Sequence, residues 1–185
     1  ILRNLQTGEE RRFELVKDYF FNRKGNVLLV ETTRKNSDEK SLAAVIKVNL
    51  DANNTRTIFT KFNEAKNFRM DEDGKQVAFV AERDSSSKAL QKFYKLYYYK
   101  DGMDSARLLA DHTTKGLPAN WTISDNPGSI VFSKSGNRLM LGTIPIWPVR
   151  DTTVPEMDRV SVDVWHYNDD YIQPVQLRNL NKELR

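Results

Sequence analysis

Three stretches of the chain repeat one pattern of apolar and polar positions: an aromatic residue or Met, three polar residues, Gly, two polar or small positions, then an apolar run. They are Phe21–Leu29, Met70–Phe79 and Phe132–Met140, and their glycines, Gly25, Gly74 and Gly136, lie 49 and 62 positions apart. A polar tetrad ending in Gly supplies the positive φ of a tight hairpin, so each stretch predicts two antiparallel strands joined by a short turn.

A second pattern alternates with the first. Leu2–Gly8, Ile46–Asp51, Leu96–Gly102 and Val164–Asp169 each read as a strand running into a polar turn. A short strand is expected after each turn, at Arg11–Leu15, Thr55–Thr60, Ala106–Ala110 and Ile172–Leu177. The order is two inner strands, a connection, two outer strands, then the next inner pair. This is the meander of a β-propeller blade, which runs about 40 to 50 residues.

The predicted fold class is therefore all-β: a partial β-propeller, an arc of about three four-stranded antiparallel meander blades. Residues 1–15 are expected to be the outer strands of a preceding blade, and 16–59, 62–110 and 119–177 the three blades. Arg34–Ser41, Arg83–Lys92 and Pro145–Arg159 are polar or Pro-rich and read as loops. Propellers close with about 4 to 8 blades, so the arc is expected to expose two blade faces. One segment also fits a different element. Leu90, Phe93, Tyr94 and Tyr97 have helical spacing behind Ser87, whereas the β-forming run Tyr97–Tyr99 and the repeat favour a strand.

Composition narrows the chemistry. Of 185 residues 39% are hydrophobic, which suffices for one ordinary core. No apolar run is long enough to span a membrane as a helix. The absence of Cys excludes disulfides, a thiolate nucleophile and Cys-ligated zinc. A net charge of +4, with both signs interleaved, gives no basic stripe for nucleic acid. Because the sequence opens on Ile1 rather than Met, it is expected to be a processed or engineered piece of a longer protein.

The candidate site residues read as structural. His112 is expected in a loop after a strand, and His166 as a half-buried strand residue, with Trp165 and Tyr167 on the opposite face. Asp71-Glu72-Asp73 lacks the ligand series of a calcium loop and sits where turn chemistry belongs, as do Asp169 and Asp170. The sequons at Asn53 and Asn120 are too short to carry an argument. The 9 Phe, 7 Tyr and 3 Trp are read as packing between blades. No catalytic, cofactor-binding or metal-binding residue is assigned, and no cofactor is expected.

Two stretches carry a family resemblance. Val162-Asp163-Val164-Trp165-His166-Tyr167-Asn168-Asp169, followed by Ile172-Gln173-Pro174-Val175-Gln176-Leu177, resembles a stretch of prolyl-oligopeptidase-family (S9) serine peptidases of the large bacterial kind. Gly116-Leu117-Pro118-Ala119-Asn120-Trp121-Thr122-Ile123-Ser124, with Phe132–Leu139 and Gly142-Thr143, is similar to that family's propeller. The resemblance implies a β-propeller capping a separate α/β-hydrolase domain, admitting peptides to a Ser/Asp/His triad and excluding folded proteins. No triad element transfers to a position here, because Gly-x-Ser-x-Gly is absent. The paired-Glu motif that holds a substrate amino terminus in dipeptidyl-peptidase relatives is absent as well. This chain is thus expected to be a non-catalytic propeller portion of a serine peptidase, without activity of its own.

The partners implied are the missing blades, the hydrolase domain and, through the parent, peptide substrates; neither nucleic acid nor a membrane is expected. The resemblance slightly favours a periplasmic or secreted location over a cytoplasmic one. Self-association is expected through Ile130–Phe132, Leu139–Leu141, Leu2 and Leu5, with Trp165 as an anchor. The alternative is a TolB-like or WD40-like propeller that only binds. A carbohydrate-active propeller would need paired carboxylates on inner strands, where Val16–Phe21 and Ala65–Met70 offer only Asp18.

Overall fold

In a computed structural model of the chain, the described residues are 1–34, 42–86, 88–149, 152–153, 166–168, 171–172, 174–176 and 179. The chain divides into two compact units, Ile1–Pro148 and Val149–Arg185. The described residues are all-β with very little helix.

The first unit begins with a two-stranded ribbon, β1 (Leu2–Arg3) against β2 (Glu10–Arg11). The strand expected at Arg11–Leu15 is correspondingly shorter and earlier. Leu15 adopts φ 54° and its carbonyl accepts from Thr33 N at 2.9 Å, which turns the chain into the next sheet. That sheet is a four-stranded antiparallel meander of β3 (Val16–Phe21), β4 (Val27–Thr32), β5 (Ala44–Asn49) and β6 (Asn54–Thr60). A second meander follows with β7 (Glu64–Met70), β8 (Gln76–Glu82), β9 (Lys95–Lys100) and β10 (Arg107–Ala110). The segment that also fitted a helix is thus a strand from Lys95 onward, because its tyrosines pair across β8 as Val77↔Tyr99 and Phe79↔Tyr97.

The remainder of the unit is two short pairs, β11 (Trp121–Ile123) with β14 (Thr143–Pro145) and β12 (Ile130–Phe132) with β13 (Leu139–Leu141). They form one long hairpin interrupted between Ser124 and Ser129. Its two parts are held together by Ser124 N to Gly142 O at 3.0 Å and Gly142 N to Ser129 O at 2.7 Å.

Alternation along each strand sends side chains to opposite faces, and this sorts the core into layers. Leu29, Val45 and Ile58 of the first sheet pack with Phe68, Val77, Phe79 and Tyr97 of the second. Ala78, Val80 and Leu96, on the second sheet's other face, pack with Ile123 and Ile130. Leu28, Val30 and Val48, on the outer face of the first sheet, are met by Leu2 and Phe13. The aromatics serve this packing: Phe59 lies 5.1 Å from Phe79 and 4.4 Å from Tyr97 between ring centroids.

In the second unit, the described residues of the expected strand at Ile172–Leu177 do not form one. Pro174, Val175 and Gln176 are helical, with Val175 N and Gln176 N both donating to Ile172 O.

Candidate functional site

The three repeated hairpins end in turns built on one plan. The residue opening each tetrad caps its own turn: Asn22 Oδ1 accepts from Val27 N (2.9 Å), Asp71 Oδ1 from Gln76 N (3.0 Å) and Ser133 Oγ from Arg138 N (3.0 Å). The backbones repeat as well, with Gly25 N, Gly74 N and Gly136 N donating to the carbonyls of Asn22, Asp71 and Ser133. The glycines hold φ of 73°, 69° and 71°, a region that side-chain-bearing residues avoid.

Successive turns also touch one another, through different positions of the turn. Asn22 Nδ2 donates to Glu72 O at 3.4 Å, and Gln76 Nε2 donates to Gly136 O at 3.0 Å. Between the first two turns the charges are opposed: Lys24 pairs with Asp73 at 2.5 Å and Arg23 with Glu72 at 3.9 Å. The hydrogen bond and the opposite charge hold the Lys24 amine above and the Asp73 carboxyl below their ordinary values.

Where strands β3, β7 and β12 run into these turns, they line a cleft of about 510 Å³. Its apolar wall includes Phe20 and Phe68, with ring centroids 5.2 Å apart, and Phe132. Arg23, Arg69 and Lys134 bring positive charge to it, and Asp71 and Glu72 negative charge. Asp71 is buried and occupied, since Gln76 donates to both of its oxygens. Arg69 donates to the carbonyl of Phe68 at 3.3 Å and has no ion pair among the described residues. Sequence reading found the turns but not the cleft cations, because single Arg and Lys residues near strand ends look like ordinary surface.

Away from the cleft, charged groups act as clasps. Glu82 is buried and accepts from Asn63 Nδ2 (3.0 Å), Asp84 N (2.6 Å) and Ser85 N. Burial pushes its carboxyl up, but the bonds from Ser85, Asn63 and Asp84 outweigh it and leave the group below the ordinary value. Tyr94 donates to Glu64 at 2.6 Å, and Lys66 reaches both Glu64 (3.3 Å) and Asp125 (3.2 Å). Lys47, with its side chain almost fully buried, pairs with Asp101 and so ties β5 to the β9–β10 turn.

His112 does not line the cleft, and His166 belongs to the second unit. His112 follows β10 in an exposed turn, stacked on Phe93 at 5.1 Å. His166 is not a half-buried strand residue: it is exposed, with Tyr167 in a turn beside it and their rings 4.2 Å apart. The local chain reverses there, so the two side chains do not alternate across a sheet. Trp165, Asp169 and Asp170 lie outside the described residues. Asp18 is exposed, and Asn53 and Asn120 hold positive φ. Among the described residues no three His, Asp or Glu side chains converge as a metal-binding group. No family model, no curated protein and no solved structure matches the chain.

Proposed function

We propose that the chain is the non-catalytic, arc-forming part of a β-propeller from an S9-type serine peptidase, gating peptide access to a separate α/β-hydrolase domain. The observation that carries the propeller reading is the repeated turn-to-turn contact. Two antiparallel meanders and a third hairpin stack face to face with their inner strands adjacent, and the Gly74 and Gly136 turns each rest on the preceding one. Propeller blades stack in this manner about a common axis. The peptidase assignment rests on the resemblance of Gly116–Thr143 and Val162–Leu177 to that family.

On this reading the cleft at the ends of the inner strands is a surface that passing peptides meet. The partners are the adjoining blades and the hydrolase domain, and a piece lacking them associates with itself through its uncovered layers. The chain alone hydrolyses no peptide, since it carries no nucleophile elbow.

The test is the full-length gene and its product. A downstream Gly-x-Ser-x-Gly whose Ser is labelled by a fluorophosphonate, with labelling lost on Ser→Ala, supports the proposal. A reading frame without that motif sinks the peptidase assignment and favours a propeller that only binds. Peptide hydrolysis by the purified 185-residue chain, scaling with its concentration, sinks the non-catalytic assignment.

A further inference from the structure

The cleft at the ends of β3, β7 and β12 has a charge imbalance that its own residues do not resolve. Its acids are engaged: Asp71 is held by the main-chain and side-chain N–H groups of Gln76, and Glu72 lies 3.9 Å from Arg23. Of its three cations, Arg69 and Lys134 have no carboxylate partner among the described residues. A guanidinium carries five N–H donors in a planar fork, and a single bond to Phe68 O leaves most of them free. Against these cations stand Phe20, Phe68 and Phe132, so charge and apolar surface share one concavity. A volume of about 510 Å³ lies within the range that suits a small ligand or a few residues of peptide.

We propose that this cleft binds a short peptide segment in which a carboxylate adjoins an apolar side chain. The carboxylate would lie against Arg69, whose fork matches its two oxygens, with Lys134 adding a second charge, and the apolar side chain against the Phe20–Phe68 wall. The inference rests on reading the cleft as a surface that peptides meet, and it names which peptides: those with an acidic side chain or a free carboxyl terminus.

Binding to the 185-residue chain is measured calorimetrically for N-acetyl-Leu-Phe, its carboxyl-terminal amide, and N-acetyl-Asp-Phe-amide. The free acid is expected to bind about 10-fold or more tighter than its amide, the scale of one charge-assisted hydrogen bond. Tight binding of the Asp-containing amide would extend the site to acidic side chains, and its absence would confine it to the chain terminus; either result supports a carboxylate site. Arg69→Gln with Lys134→Gln should erase the acid-over-amide preference while leaving the circular dichroism spectrum unchanged. Arg107→Gln, away from the cleft on β10, should keep the preference.

Equal binding of acid and amide, binding of neither, or binding of inorganic phosphate as tight as that of the acid overturns the proposal. None of these bears on whether the full-length gene encodes a serine nucleophile, so the peptidase assignment stands or falls separately.

Discussion

Val27 occupies the space that a β-carbon on Gly74 would need: a Cβ at Gly74 would lie 2.7 Å from Val27 Cγ2. The same relation recurs one turn later, where a Cβ on Gly136 would lie 3.0 Å from Gln76 Nε2. Gly25, with nearly the same φ, has nothing within 4 Å. Gly74 and Gly136 thus each do two things, bending their own turn and letting the neighbouring sheet approach, whereas Gly25 does only the first.

Substituting Asn, which tolerates positive φ, separates these two roles. Gly25→Asn is expected to cost under about 1 kcal/mol. Gly74→Asn is expected to cost about 1–3 kcal/mol, the scale of overpacking a close contact. Urea denaturation of the two variants provides the comparison, and equal losses would mean that the turns do not pack as described.

Glu82 and Glu31 should respond oppositely to neutralisation. Glu82 lies below its ordinary value when folded, so its contribution is present above the unfolded value and is lost as pH falls through the folded one. Glu82→Gln should destabilise by about 1–3 kcal/mol at neutral pH, because the donors around it lose a charged acceptor. Burial pushes Glu31 up despite its bond from Lys17 at 2.8 Å. Its contribution is therefore present below the unfolded value and lost as pH rises through the folded one. Glu31→Gln should be neutral or stabilising at neutral pH, and thermal melts across the acid range give the contrast.

Tyr94 should be among the last tyrosines to ionise. Burial and the hydrogen bond to Glu64 push its hydroxyl up to about 12, with Lys66 opposing. A raised folded value means that its stabilisation is complete below the unfolded value near 10 and disappears as pH rises through about 12. The phenolate absorbance of wild type minus Tyr94→Phe isolates this group. A difference titrating near the ordinary value would remove the clasp.

Self-association should run through the exposed side of the third hairpin. Val131 and Met140 are cross-strand partners, 43% and 55% exposed, whereas Leu141 packs against the core and its loss would confound the test. Val131→Asp with Met140→Asp should lower the light-scattering mass at high concentration without altering the far-ultraviolet spectrum. A wild-type chain that stays monomeric would show that this face is not adhesive.

The hairpins were legible because a positive-φ glycine at a fixed distance from a capping side chain is a local signal, and β3–β4, β7–β8 and β12–β13 all carry it. What joins one sheet to the next was not legible, since Gln76 to Gly136 spans 60 residues and neither partner is unusual in sequence. The irregular third hairpin has a similar origin. Asn67, at a bulge in β7 with φ 55°, donates to the carbonyls of Asp125 and Asn126, holding an excursion that periodicity alone cannot foresee. At Pro174–Gln176 the chain is helical where the repeat called for an edge strand. The cleft escaped notice because Arg69 and Lys134 gain meaning only when strands distant in sequence lie side by side.

Strand β8 packs Val77, Phe79 and Ala81 against one layer and Ala78 and Val80 against the other, with β7 and β9 pairing both of its edges. Exposing its central amides to deuterium therefore demands parting two layers and two ladders at once. Those amides should exchange only through global unfolding, while the β1–β2 ribbon exchanges through local opening. The order in which label enters the chain would run inward from its first residues toward Phe79.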